Sequence, residues 1–497
     1  MLDAHSSWAA HFLQNASLIL LSLILLPLDT FILFSSYALQ SLLHDNINRR
    51  RRRIRRSRNF YPKTILVTGV GMAKGLSLAR AFYQAGHRVI GADFEPYGVP
   101  VNGRFSVVLS KFYSLSRPNS KDGATHYIQD LLSAVRREKV DIWVSCSGVA
   151  SAVEDGQAKE VIERHTRCRA IQFDTKTTAT LHEKHSFIQH TKGLALPAPE
   201  TYDVTSRTAV HNILNDAEDV HYILKSVGVD DASRGDLTLL PRPTLSETYQ
   251  HVANLKITND SPWVLQRFIP GEEYCTHALV VDGNVKVFVA CPSSELLMHY
   301  EAMHPRSSLS KAMLKFTQEF VARSGDGMTG HLSFDFLVEE SASEKGLQKV
   351  LYPIECNPRA HTAVVLFDQH AAEMAEGYLT ALAPEINGAV NGLKHRIVVP
   401  AKPAKYYWVG YDLVSLVLYP LIRIFILSPG SVREFIEGCY LFIQHLLFWK
   451  DGTYEMWDPL PWWWLYHVYW PGQFLACILQ RRNWSRINVS TTKMFNC

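Results

Sequence analysis

The plainest alternation of apolar and polar positions in the chain lies at residues 331–338. There Leu332, Phe334, Phe336 and Val338 interleave with His331, Ser333 and Asp335. A period of two predicts a strand with one buried face. A polar loop follows, and Leu351-Tyr-Pro-Ile-Glu-Cys-Asn357 predicts a second strand, on which Glu355 and Asn357, two residues apart, share a face. A hairpin through Glu339–Gln348 then sets Asp335 beside Glu355 and Asn357.

Upstream, Lys63–Thr68 reads as a short buried strand, followed by Gly69-Val-Gly71-Met-Ala-Lys-Gly75 and a helix to about Ala85. Arg88–Asp93 predicts the next strand. Ile128, Leu131, Leu132 and Val135 recur at helical spacing before a strand at Asp141–Ser145. Strands alternating with helices predict an α/β unit with a parallel sheet over about residues 60–175. The character then changes. Tyr222–Lys225, Trp263–Phe268, Tyr274–Val281 and Val285–Ala290 read as strands, with Asp282-Gly283-Asn284 as a hairpin turn. Together with the strand pair at 331–357, these predict an antiparallel α+β arrangement over residues 176–400.

The two ends of the chain differ from its middle. Ala16–Leu43 is almost wholly apolar and longer than the roughly 20 residues that cross a bilayer as a helix. It either spans or bends back at Pro27-Leu28-Asp29. The arginines at 49–53, 55, 56 and 58 follow it rather than precede it, unlike a signal peptide, and the positive-inside rule places them and the rest of the chain on the cytosolic side. Residues 1–58 therefore predict a membrane anchor with a basic juxtamembrane segment. Leu413–Leu427, Cys439–Trp449 and Pro461–Leu479 also carry little charge, and Trp462-Trp463-Trp464 suits either interfacial helices or a packed aromatic-rich region over 401–497.

Charge and cysteine usage narrow the function. The 497-residue chain has a net charge of +4, and eight of its 51 basic residues sit in the one arginine segment. The body is near neutral, which argues against a nucleic-acid partner. Eight scattered cysteines without a Cys-x-x-Cys pair predict free thiols and no structural metal site.

Two carboxylates and an amide oxygen on one face suit a hard cation such as Mg²⁺, which usually arrives with nucleotide phosphates. ATP chemistry follows. Lys225 ends a strand and leads into the small-residue loop Ser226–Gly235, a combination that can cover phosphates. Gln266-Arg-Phe-Ile269-Pro-Gly-Glu-Glu273 is a strand with a bend, able to hold a flat base against main chain and a sugar hydroxyl against Glu273. The Gly69–Gly75 loop with Asp93 has dinucleotide spacing, but no Tyr-x-x-x-Lys pair accompanies it, and a tight strand–helix turn accounts for it better than a reductase site.

The chain order of these groups resembles the ATP-grasp superfamily over about residues 60–375. That resemblance implies an ATP-grasp fold preceded by a Rossmann-like domain. It assigns Lys184 and Lys225 to the nucleotide, Gln266 and Ile269 to the adenine hinge, and Glu273 to the ribose. Asp335, Glu355 and Asn357 fall at the Mg²⁺ positions. Many members have an acidic residue where Gln266 stands. A closer resemblance is to mycosporine-glycine synthases, carried by Tyr222-Ile-Leu-Lys-Ser226, Gln266-x-Phe-Ile-Pro-Gly271, Glu273-x-Cys-Thr-His277 and Ile354-Glu-Cys-Asn-Pro-Arg359-Ala-His361. It implies an ATP-dependent C–N ligase acting on small molecules, joining 4-deoxygadusol, a vinylogous acid, to glycine and releasing ADP and phosphate. Arg359, whose fork matches phosphoryl or carboxylate oxygens, is the expected catalytic residue. His361 either orients substrate or is structural. The alternatives are another ATP-grasp carboxylate–amine ligase and a membrane-tethered NAD(P)-dependent reductase.

Overall fold

A computed structural model describes residues 6–497 apart from 120–122, 147, 149–150, 217–219, 227–237, 294–297, 326, 344–345, 383–395, 401–402 and 426–429. The chain opens with a single helix of 48 residues, α1 (Trp8–Arg55), which runs without interruption through Pro27 and into the arginines. No bend back occurs at Pro27. Within it, Trp8–Leu39 is long and apolar enough to cross a membrane by length and composition.

The predicted α/β unit follows. Strands β1 (Thr64–Thr68), β2 (Arg88–Asp93), β3 (Leu109–Ser114), β4 (Ile142–Val144) and β5 (Arg169–Ile171) form one five-stranded sheet in the order β3-β2-β1-β4-β5. Its pairings are parallel throughout. Neighbouring residues of β1 point to opposite faces. Ile65 and Val67 pack with Phe82 of α2 (Ala73–Gln84), whereas Leu66 packs with Leu131 of α3 (Thr125–Glu138) and Ile162 of α4 (Ala152–His165). This explains why β1 is an uninterrupted apolar run: both of its faces are covered.

Helices α5 (Thr175–His182) and α6 (Lys184–Gly193) lead into two antiparallel sheets. The smaller contains β6 (Thr201–Val204), β7 (Tyr222–Ser226) and β8 (Trp263–Arg267) in the order β6-β8-β7, backed by α7 (Arg207–Asp216) and α8 (Leu245–Asn254). The larger contains β9 (Glu272–Val281), β10 (Asn284–Pro292), β12 (Gly330–Ser343) and β13 (Gly346–Asn357) in the order β10-β9-β12-β13; the short β11 (Tyr300–Glu301) lies elsewhere. The turn joining β9 to β10 has positive φ at Asp282 and Gly283, as a two-residue hairpin requires. The period-two pattern holds in the fold. Leu332, Phe334, Phe336 and Val338 bury themselves against α9 (Ser308–Arg323) and α6. The polar loop expected at Glu339–Gln348 is mostly strand: β12 continues to Ser343 and β13 starts at Gly346, with residues 344–345 outside the described part.

Helix α10 (Ala371–Leu379) follows, and β14 (Lys405–Tyr407) pairs with β11. The C-terminal region is helical and divides into two parts. Val409–Asp412 (α11), a π-helical stretch and Tyr419–Phe425 (α12) pair with α13 (Ser431–Phe448). After β15 (Lys450–Asp451), α14 (Leu460–Trp464), a second π stretch and α15 (Trp470–Gln480) lead to the hairpin β16 (Trp484–Asn488) and β17 (Lys493–Asn496). Trp462 is buried, and the Nε1 atoms of Trp463 and Trp464 donate to Thr30 and to the Pro100 carbonyl, so this tryptophan run belongs to the packed body. Arg80 fastens the region to the α/β sheet: its Nε meets Asp458 Oδ2 at 2.9 Å, and its other nitrogens donate to the carbonyls of Thr453 and Asp458.

Candidate functional site

The site is built from cross-strand register. In the larger sheet Asp335 pairs with Glu355 and Ser333 with Asn357, so these side chains share one face. A bulge between Asp335 and Phe336 takes up one residue of β13 and keeps the two carboxylates aligned. Asn357 Nδ2 donates to Asp335 Oδ2 at 3.1 Å, which leaves the amide oxygen as its lone-pair donor. Burial and the nearby charges of Glu355 and Glu273 raise the Asp335 carboxyl well above its ordinary value, with Arg359 and Lys184 opposing.

In the smaller sheet, Tyr222 and Leu224 turn toward α7 and α8, so Ile223 and Lys225 face the other way. On β8 the same alternation puts Val264 and Gln266 on that face. Lys225 Nζ donates to Gln266 Oε1 at 2.8 Å, and Gln266 Nε2 reaches Thr201 Oγ1 at 3.3 Å, fixing the amide's orientation. Thus the amide oxygen of Gln266, the residue assigned to the adenine hinge, is already engaged by the lysine. Burial, then the charge of Lys184, brings the Lys225 ammonium down to about 8. The loop Val227–Gly235 beyond it lies outside the described residues.

The two sheets meet through Lys184 and the β8–β9 connection. Lys184, at the start of α6, places Nζ 2.8 Å from Glu355 Oε2. Ile269 is buried in the connection, and the following Pro270-Gly271 bend passes so close to β12 that a Cβ on Gly271 would lie 2.0 Å from the Val338 carbonyl oxygen. Only glycine fits there. Glu273, exposed at the start of β9, adds negative charge felt by both Lys225 and Asp335. Residues 184, 225, 266, 269, 273, 335, 355 and 357, scattered over about 170 positions of sequence, therefore converge between two sheets.

Just beyond β13, the Arg359 carbonyl accepts from Ser333 Oγ at 3.0 Å, and its positive charge acts on both Asp335 and Lys74. Lys74 is the residue that the sequence pattern did not single out. It comes from the Gly69–Gly75 loop, is buried, and donates to the Ala360 carbonyl at 2.9 Å. Burial and Arg359 bring its ammonium down to about 7. Nothing in the sequence links residue 74 to residue 359; only the packing of the α/β unit on the larger sheet does so. His277 and His331, both buried, line the same region, with His277 Nε2 and His331 Nδ1 lacking a hydrogen-bond partner. His361 has a structural role: its Nδ1 accepts from Ala363 N at 3.3 Å and caps the helical turns at 362–370.

Asp93 Oδ2 accepts from Gly71 N and Oδ1 from Phe94 N, each at 2.7 Å, so the carboxylate expected to meet a ribose serves its own backbone. A Cβ on Gly75 would fall 2.2 Å from the Gly69 carbonyl oxygen, a close strand–helix packing contact. All eight cysteines are free.

Two antiparallel sheets gripping a cluster of lysines, carboxylates and amides, preceded by a parallel α/β unit, make up the ATP-grasp fold. The chain is similar to the solved N5-carboxyaminoimidazole synthetase from Staphylococcus aureus, with a TM-score of 0.50, 13% identity, and 72% of this chain and 85% of that chain covered. An ADP complex of N5-carboxyaminoimidazole ribonucleotide synthetase aligns at a TM-score of 0.49 and 13% identity over 73% of this chain and 86% of that one. The L-amino acid ligase from Bacillus licheniformis aligns at 0.44 and 13% over 71% and 81%. No protein-family model matches the sequence, and no curated protein sequence does.

Proposed function

We propose that the protein is an ATP-dependent C–N ligase that activates a small acid by phosphorylation and couples it to an amino acid. The observation that carries this reading is the crowding of Asp335, Glu355 and Glu273 on one side of the cleft, with Lys184 and Lys225 opposite. Burial and the charges of Glu355 and Glu273 hold the Asp335 carboxyl well above its ordinary value, and added positive charge would relieve it. Asp335, Glu355 and the Asn357 amide oxygen form a donor set suited to Mg²⁺, which when bound offsets phosphate charge. Lys225 and Lys184 are the cations for the nucleotide phosphates. Ile223 and Val264 offer an apolar floor for the base beside Gln266 and Ile269, and Glu273 takes a ribose hydroxyl.

The acceptor oxygen of the acid attacks the γ-phosphorus, the bridging P–O bond to ADP breaks, and the amine nitrogen then displaces phosphate from the activated carbon. Arg359 holds the transferred phosphoryl group or the acid's own oxygens, and Lys74 lies at the same end of the cleft. The specific pair, 4-deoxygadusol and glycine giving mycosporine-glycine, rests on the sequence resemblance. Another carboxylate–amine pair would use the same residues. The engagement of Asp93 by its own backbone and the lack of a Tyr-x-x-x-Lys pair speak against the reductase alternative. In this reading the N-terminal helix is the membrane-contacting element and the catalytic body lies on the cytosolic side.

The test is incubation of purified protein with ATP, Mg²⁺, 4-deoxygadusol and glycine, following ADP and the ultraviolet-absorbing product. Product with stoichiometric ADP supports the whole reading. ADP release with a different acid and amine keeps the ligase and replaces the substrates. Release of AMP and pyrophosphate would refute phosphoryl activation.

A further inference from the structure

The N-terminal helix has two unlike faces that its nearly uniform apolar composition conceals. Asn15, Ser22, Asp29 and Ser36 recur every seven residues, close to two helical turns, and so form one seam. Each is bonded to the C-terminal region. Asn15 Oδ1 accepts from Trp484 Nε1 at 2.9 Å, Ser22 Oγ donates to the Tyr466 carbonyl at 2.9 Å, Asp29 Oδ2 meets His467 Nε2 at 2.8 Å, and Ser36 Oγ meets the Tyr454 hydroxyl at 2.7 Å. On the opposite face Leu13, Leu20, Ile24, Phe31 and Phe34 are each more than half exposed.

One end of α1 rests on the α/β unit directly, and the other on a C-terminal hairpin that is itself bonded to that unit. Near its start, Trp484 belongs to the segment whose Ser490 carbonyl accepts from Ala73 N at 2.9 Å. At its end, Arg51 donates to the carbonyls of Tyr83 and His87 at 3.0 and 3.2 Å. A helix crossing a bilayer leaves one end about 30 Å from any domain on the other side. The apolar part is also too long for an ordinary span. Its 32 residues measure about 48 Å as a helix, and fitting that into the hydrocarbon would need a tilt of about 50°, beyond the usual range.

A second apolar stripe lies on α13. There Val432, Ile436, Tyr440, Ile443 and Leu447 follow a 4-4-3-4 spacing and are each more than half exposed. Its charged residues lie off this stripe, where Arg433 pairs with Glu437 at 2.7 Å and Glu434 with Arg423 at 2.5 Å. The inner side is pinned by fully buried Asp412, which binds His299 at 2.8 Å and His445 at 2.5 Å through its two oxygens. Tyr466 links α1 to α11, which leads into the α12–α13 pair: its hydroxyl accepts from Gly410 N at 3.2 Å, while its carbonyl accepts from Ser22 Oγ. Arginines flank α1 at both ends, with the 49–56 group at its close and Arg481 over the Trp8 ring at 5.8 Å at its start.

We propose that α1 and α13 together hold the protein on one leaflet of a bilayer, with α1 lying along the interface instead of crossing it. Lipid chains meet the two exposed stripes, and anionic headgroups meet the arginines at both ends of α1. This rests on the reading of α1 as membrane-contacting and is independent of the ligase reading, because its tests require no substrate.

The first experiment labels sealed, cytosolic-side-out membrane vesicles from cells expressing the full chain, with Cys439→Ser and Cys497→Ser as background. A membrane-impermeant maleimide should react with Ser6→Cys and with Arg58→Cys equally from outside. Reaction at position 6 only after permeabilisation would show that α1 crosses and would overturn the proposal. The second is flotation with phosphatidylcholine vesicles with and without phosphatidylserine. Ile436→Glu/Ile443→Glu/Leu447→Glu should float at least tenfold less than the native chain, at an unchanged melting temperature, and the native chain should float better with phosphatidylserine. Native-like flotation of this variant, or a discrete detergent-free dimer that ignores vesicles, would remove α13 from the membrane surface.

Discussion

Two regions of this protein carry nucleotide-like sequence patterns, and they differ in what their polar groups are already doing. In the Gly69–Gly75 loop the carboxylate of Asp93 accepts two backbone N–H groups, and Gly75 lies against the Gly69 carbonyl. The loop is a finished piece of packing. Between the two antiparallel sheets, by contrast, Asp335, Glu355 and Glu273 crowd one another, and Lys225 is pushed down to about 8 by burial and by Lys184. Like charges held together at a cost to the fold mark a place built for a ligand that relieves them. Spacing alone does not separate these cases; the gathering of several lysines and carboxylates in the second does.

The sharpest way to break the comparison is at the metal positions. Glu355→Gln keeps the size of the side chain and should lower ligase turnover by on the order of 10³-fold, measured as ADP release, at a nearly unchanged melting temperature. Turnover within a factor of a few of native would remove Glu355 from the metal set. Next, Lys225→Met should cost about 10²-fold in kcat/KM for ATP. In the native chain, KM for ATP should rise as pH passes about 8, because the lysine then loses the proton that phosphate binding needs; the variant's profile should be flat there.

A smaller effect is expected where the two regions touch. Lys74→Met should raise KM for the acid about tenfold and leave KM for ATP alone. In the native chain that acid KM should increase as pH rises through about 7, the value to which burial and Arg359 bring Lys74. The stability of the native chain moves the opposite way. Between about pH 7 and 10.5 the unfolded lysine holds its proton and the folded one does not, so stability increases with pH over that window. Thermal melts of native and Lys74→Met protein across it should converge on the alkaline side. The smallest catalytic effect belongs to Asp93→Asn. It should cost about 1–3 kcal/mol of stability, through weakened bonds to Gly71 and Phe94, yet leave ATP kinetics intact and create or abolish no NAD(P)H binding.

Much of the site was legible beforehand because it depends on local rules. Period-two alternation fixes which side chains of a strand share a face, so Asp335, Glu355 and Asn357 were placed together from spacing, and β12–β13 pairs them in that register. The chain order of Lys184, Lys225, Gln266, Ile269 and Glu273 carried the resemblance that grouped them. Lys74 was not legible, since its meeting with Arg359 depends on how one sheet packs on another, and no periodicity encodes that. The engagement of Gln266 by Lys225 is not legible for a related reason: it needs the register of β7 on β8 and the Thr201 hydroxyl behind them.

The ends of the chain divide the same way. The residues alone determined that Ala16–Leu43 is apolar, that arginines follow it, and that strands and helices alternate in the first half and give way to antiparallel pairs in the second. Those are properties of adjacent residues, expressed through the geometry of a single helix or strand. What covers each face was decided only in three dimensions. The seven-residue seam of Asn15, Ser22, Asp29 and Ser36 has meaning because Trp484, Tyr466, His467 and Tyr454 arrive from more than four hundred residues away. A helix's own sequence sets which side chains line up; which line meets protein and which meets lipid depends on partners that only the folded chain supplies.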